Sequence, residues 1–154
     1  MGFYNRLILD IAYKINFKEK YSKLLKKYPK INSFGYILNI NKIISLINNM
    51  GYKVTYNKKE NFFKVFIGNT ISNYNIYCYI IIRNNCYFLD AGIYLFDKKK
   101  YIGGALLNPL YKELSNQEIS KLYFKDNSQL QELINDILKI AEELKQTSLD
   151  PPEN

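Results

Sequence analysis

This chain of 154 residues contains no histidine. That removes the commonest general base, the commonest zinc ligand and every histidine-containing catalytic triad. There are two cysteines, Cys78 and Cys86, both in segments that read as strands, which argues against a thiolate metal site. The strand pairing given below sets them apart on opposite faces, out of bonding reach, as two buried thiols of a reducing compartment. No P-loop, GxGxxG or GxSxG sequence occurs. No apolar run approaches the ~18 residues that a membrane-spanning helix needs. Asp10 interrupts the first apolar stretch, so the N-terminal residues do not read as a signal peptide. Gly2 follows Met1, but Arg6 stands where a myristoylation signal needs Ser or Thr. Together these absences predict a cytoplasmic address, no cofactor and no metal.

Acidic residues are scarce in the first half. Residues 1–64 hold 13 Lys/Arg against 3 Asp/Glu, a net +10, whereas residues 65–154 hold 9 against 11, a net −2. Such asymmetry suggests a surface for something acidic: nucleic acid, anionic lipid or an acidic protein. A compositional explanation competes, because the abundant Lys, Asn, Ile, Tyr and Phe all have A/T-rich codons. Arginine is limited to Arg6 and Arg83. Bidentate base recognition draws on arginine, so sequence-specific DNA reading is disfavoured.

What is abundant is apolar and aromatic. Hydrophobic residues make up 47% of the chain, enough for a globular core in one domain, expected over residues 1–148 with a flexible tail at 149–154. Residues 3–28 show helical spacing, as one bent helix or two, ending before Pro29. Asn39 or Asn41 is placed to cap a following helix that Gly51 terminates. Strands are predicted at 52–57, 62–68 and 74–83, with a fourth from 86 to 96 and a weaker fifth at 101–107. Ser115 and Ser128 each open a potential capping box, the first for a short helix to Tyr123, the second for a long one to about Gln146. The expected fold class is α+β: N-terminal helices, an antiparallel meander of four to five strands, and C-terminal helices packed on the sheet.

The third and fourth strands form the most informative segment. With Asn84-Asn85 as a two-residue turn, Arg83 faces Cys86, Ile80 faces Leu89 and Cys78 faces Ala91. One face then carries Ile76, Cys78, Ile80 and Ile82; the other carries Tyr77, Tyr79, Phe88, Asp90 and Tyr94. A half-buried sheet alternates apolar with polar, and this one does not. Helices on both faces would make the aromatic side core. Helices sharing one face would leave Tyr77, Tyr79, Phe88, Asp90 and Tyr94 as an exposed partner site.

Two further constellations invite a functional reading. Lys20, Lys23 and Lys27 belong to a basic amphipathic helix that could meet a phosphate backbone, an anionic membrane or an acidic protein, or simply face solvent. Asp90, Asp97 and Lys99 faintly resemble the metal-binding motif of restriction nucleases, although an odd spacing sends the two carboxylates to opposite strand faces. In size, predicted address, A/T-rich composition and lack of catalytic residues, the chain resembles small bacterial toxin-immunity proteins of the contact-dependent inhibition type. That resemblance implies a non-catalytic module that neutralises a cognate toxin domain by direct binding. For so basic a chain, the toxin domain would present an acidic surface, or docking would use the acidic C-terminal half and the sheet. The alternative expectations are nucleic-acid or membrane-surface binding through the basic helix, and a metal-dependent nuclease around Asp90.

Overall fold

The computed structural model describes residues 6–31, 37–83, 87–118 and 121–147. Two short helices come first, α1 (Arg6–Lys14) and α2 (Phe17–Lys27), followed by α3 (Ile40–Asn49). Strands β1 (Lys53–Asn57), β2 (Phe62–Asn69), β3 (Asn75–Arg83), β4 (Phe88–Asp97) and β5 (Lys100–Leu106) run next. The chain closes with α4 (Leu107–Ser115), the two-residue β6 (Leu122–Tyr123) and α5 (Asn127–Lys145). The fold is the expected α+β, with every described strand pair antiparallel.

Local chemistry explains the boundaries. The N-terminal helical stretch is two helices because Asn16 adopts a left-handed conformation, φ 57°, which asparagine tolerates better than most residues. Asn39 caps α3 by accepting a hydrogen bond from the Lys42 backbone N–H. Gly51, at φ 98°, turns the chain out of α3 towards β1 in a conformation that a Cβ would strain. The capping boxes expected at Ser115 and Ser128 are not the ones used. Ser115 ends α4 rather than opening a helix, and Leu122–Tyr123 pairs with β4 as a strand. Asp126, not Ser128, caps α5 by accepting from Gln129 N–H.

The sheet order is β1-β2-β3-β4-β5, with β6 against the far end of β4. The β3–β4 register corrects the expected one by two residues: Arg83 pairs Phe88, Ile80 pairs Ala91 and Cys78 pairs Ile93. The connection is longer than a two-residue turn, and Tyr87 takes a positive φ of 54° before β4 begins. Asn84-Asn85 and Cys86, together with the expected tail at 149–154, lie outside the described residues. A shift of two preserves the period of the pleat, so the paired side chains of β3 and β4 keep their expected faces.

All five described helices pack on one face. The inner face supplies Phe63, Val65, Ile76, Cys78, Ile80, Leu89, Ile93 and Leu95 to a single core, and each helix contributes an apolar stripe to it. The longest, α5, contributes eight buried residues from Leu130 to Leu144. Burial along β2 and β3 alternates strictly, and the outer positions are never fully buried. A two-layer arrangement results, helices below and sheet above.

Candidate functional surface

The outer face of the sheet is the feature that the fold leaves open. Cα pairing places Phe62 beside Asn57, Lys64 beside Tyr79, Phe66 beside Tyr77, Tyr94 beside Gly104 and Phe88 beside Tyr123. None of these residues joins the core, and no described helix lies over them. The five residues expected to form an exposed patch, Tyr77, Tyr79, Phe88, Asp90 and Tyr94, all lie on this face.

The rings pack into two rows across the strands. In the first, Phe62 stacks on Tyr79 with centroids 4.5 Å apart and 18° between planes, and Tyr79 meets Tyr94 at 4.5 Å and 37°. In the second, Phe66 meets Tyr77 at 5.3 Å, Tyr77 meets Phe96 edge-on at 5.6 Å, and Phe96 meets Tyr101 at 5.7 Å. Aromatic pairs in such offset or edge geometries contribute about 0.5–1.5 kcal/mol beyond area burial. Tyr94 lies down across the backbone, and glycine makes room for it on both sides. A Cβ at Gly92 would sit 2.6 Å from the ring, and one at Gly104 would sit 2.4 Å from it.

Cations are threaded among the rings. Lys64 Nζ stands 4.4 Å from the Tyr77 centroid, and Lys121 Nζ stands 4.3 Å from that of Phe88. The two-residue register correction moves Asp90 away from Tyr79, which pairs with Gly92 instead. Asp90 lies opposite Ile81, with Arg83 Nε 3.7 Å from its carboxylate. Burial, then the neighbouring Tyr77 and Glu60, holds the Tyr79 hydroxyl protonated above the ordinary phenol range. Asp97 ends β4 one residue out of phase with the outer face, and among the described residues no three His, Cys, Asp or Glu side chains gather where they could hold a metal ion.

The basic helix lies in the other layer, apart from this surface. Its apolar stripe, Phe17, Tyr21, Leu24 and Tyr28, is buried in the core. Two of its three singled-out lysines are engaged by the acidic side of α5. Lys20 pairs with Glu143 at 2.6 Å, and Lys27 with Glu132 and Asp136 at 2.7 and 2.9 Å. Tyr28 Oη donates to the same Asp136 carboxylate at 2.6 Å. Lys23 is exposed and lines a shallow groove between α2 and α4. The charge asymmetry along the chain is therefore partly an internal clasp between α2 and α5.

Reasoning from sequence missed the contribution of β2 to the outer face. Phe62, Lys64 and Phe66 have the same period-two alternation as the later strands, which could have placed them there. Tyr123 and Lys121 carried no such signal, because β6 is only two residues long. Compared with known proteins, the chain matches no family model, no curated protein and no solved structure.

Proposed function

We propose that this chain is a non-catalytic protein-binding module whose working surface is the outer face of its sheet. The observation that carries the reading is the distribution of helices. All five described helices cover one face, and the other presents two rows of packed rings that no described element buries. Large apolar patches left open on an otherwise well-packed domain mark partner sites. Tyrosine suits such a site because it buries much area with few rotors and keeps a polar tip. The most concrete form of the proposal is an immunity protein that covers a cognate toxin domain.

The other readings draw less support. A helix lying in a membrane interface needs a free apolar side, and that of α2 is buried in the core. Phosphate binding by α2 would rely mainly on Lys18, Lys23 and Lys26, since Lys20 and Lys27 are paired within the chain. Hydrolysis around Asp90 would need a carboxylate free of Arg83 and a second one on the same face.

Affinity capture from the native host tests the proposal, comparing wild type with Tyr77→Ala/Tyr79→Ala, both changes lying outside the core. A specific protein retained by wild type and lost by the variant is the expected result. Equal retention by both would move the site elsewhere. For the immunity form, the product of the adjacent reading frame should arrest growth, with rescue by wild type and not by the variant.

A further inference from the structure

We infer that the occupant of the sheet's outer face is an acidic protein surface; this rests on the reading just given and names the partner's chemistry. The face and its rim carry four cations: Lys53 beside Phe66, Lys64, Arg83 and Lys121. Against them stands Asp90, already paired with Arg83, and Glu60 in the β1–β2 turn beside Lys58 and Lys59. A second copy of this chain would bring these like charges together, which disfavours self-association.

The rings distinguish a protein from a single-stranded nucleic acid. Base stacking needs free ring faces. Here Phe62 and Tyr79 cover each other, and ammonium groups stand over Tyr77 and Phe88. Of these four rings, what remains for a partner is mainly edges and the phenol hydroxyls of Tyr77 and Tyr79, beside the cations themselves. Tyr77 and Tyr79 make no side-chain hydrogen bond among the described residues, so both hydroxyls are available to donate to carboxylates. Acidic side chains arriving from a partner would draw Lys64 and Lys121 off the rings and leave the aromatics to bury apolar area at the centre.

The experiment selects random 16-residue peptides displayed on phage against the wild-type chain, with Tyr77→Ala/Tyr79→Ala as the counter-selection target. A fluorescent dT15 strand and phosphatidylglycerol vesicles serve as parallel probes. Peptides that require the face should be rich in Asp and Glu, and Lys53→Glu/Lys64→Glu should weaken them about tenfold or more. Face-dependent peptides that are neutral or basic would overturn the acidic partner while leaving the face as a protein site. If no peptide depends on the face, the protein-binding reading itself fails. Face-dependent binding of dT15 or vesicles, without peptides, would assign the surface to nucleic acid or membrane and overturn the inference. Lys53→Gln/Lys64→Gln, with urea midpoints measured for every variant, replaces the reversal should the glutamate pair not fold.

Discussion

The seating of Tyr94 makes the sharpest prediction, because two glycines accommodate one ring for different reasons. At Gly104 a Cβ would lie 2.4 Å from Tyr94 Cδ1, 2.6 Å from the Ile93 carbonyl oxygen and 3.0 Å from Tyr94 Cα. At Gly92 its three nearest neighbours, at 2.6, 2.9 and 3.1 Å, are all in the Tyr94 side chain. Overpacking of this kind costs about 1–3 kcal/mol. Alanine returns ~0.4–1 kcal/mol by restricting the unfolded chain. Gly92→Ala therefore loses about 1 kcal/mol or less, since the ring can swing aside, whereas Gly104→Ala loses roughly 1–2 kcal/mol because backbone must move. In a Tyr94→Ala background the two diverge. Gly92→Ala becomes stabilising by ~0.4–1 kcal/mol, and Gly104→Ala stays destabilising against the Ile93 carbonyl. Urea unfolding of the five variants and wild type gives both double-mutant cycles. Full rescue of Gly104→Ala by Tyr94→Ala, or equal costs for the two glycines, would refute this account of the outer face.

Other residues offer independent tests. Asp126→Ala should cost about 1 kcal/mol through loss of the α5 cap, and Ser128→Ala should be nearly neutral, as urea midpoints will show. Tyr28→Phe should lose about 1–2 kcal/mol with its bond to the Asp136 carboxylate. With Cys86→Ala leaving Cys78 as the sole thiol, a thiol reagent should react only on unfolding, because Cys78 is fully buried; rapid labelling of the folded protein would contradict that placement. Alkali should destabilise the fold. Burial pushes the Cys78 thiol from 9.0 up to about 12, and burial with the Glu142 hydrogen bond pushes Tyr52 from 10.0 up to about 12. Both groups stay protonated in the fold while the unfolded chain ionises, so their contribution is intact below pH 9 and declines between pH 9 and 12. Urea midpoints measured from pH 8 to 11 should fall, and Cys78→Ala should flatten the early part of that decline.

The face assignment was legible in the sequence because it rests on the two-residue period of β3 and β4, which an even error in register leaves untouched. The register itself was not legible. An Asn-Asn pair suggests a tight turn, but the observed pairing starts from Arg83 and Phe88, beyond the reach of a two-residue loop. The layer question was harder still. Apolar stripes on α1, α2, α3 and α5 state that each helix buries a side, not which side of the sheet receives it. Pairing of Lys20 and Lys27 with α5 was invisible for the same reason, since residues more than a hundred positions apart meet only after both helices share a layer. Tyr77, Tyr79, Phe88, Asp90 and Tyr94 were grouped correctly from alternation alone, while Lys20, Lys23 and Lys27 joined the same list through charge and lie in the other layer.

The position of α5 as the last described element has a consequence for biosynthesis. The meander from β1 to β5 is complete by Leu106, yet eight of the side chains that close its inner face come from residues 130–144. At a synthesis rate of ~5–20 residues per second, roughly two to eight seconds pass before that helix exists. Throughout that interval the nascent sheet shows apolar residues on both sides, isoleucines beneath and tyrosines above. The nascent chain should therefore be a preferred chaperone client until α5 docks.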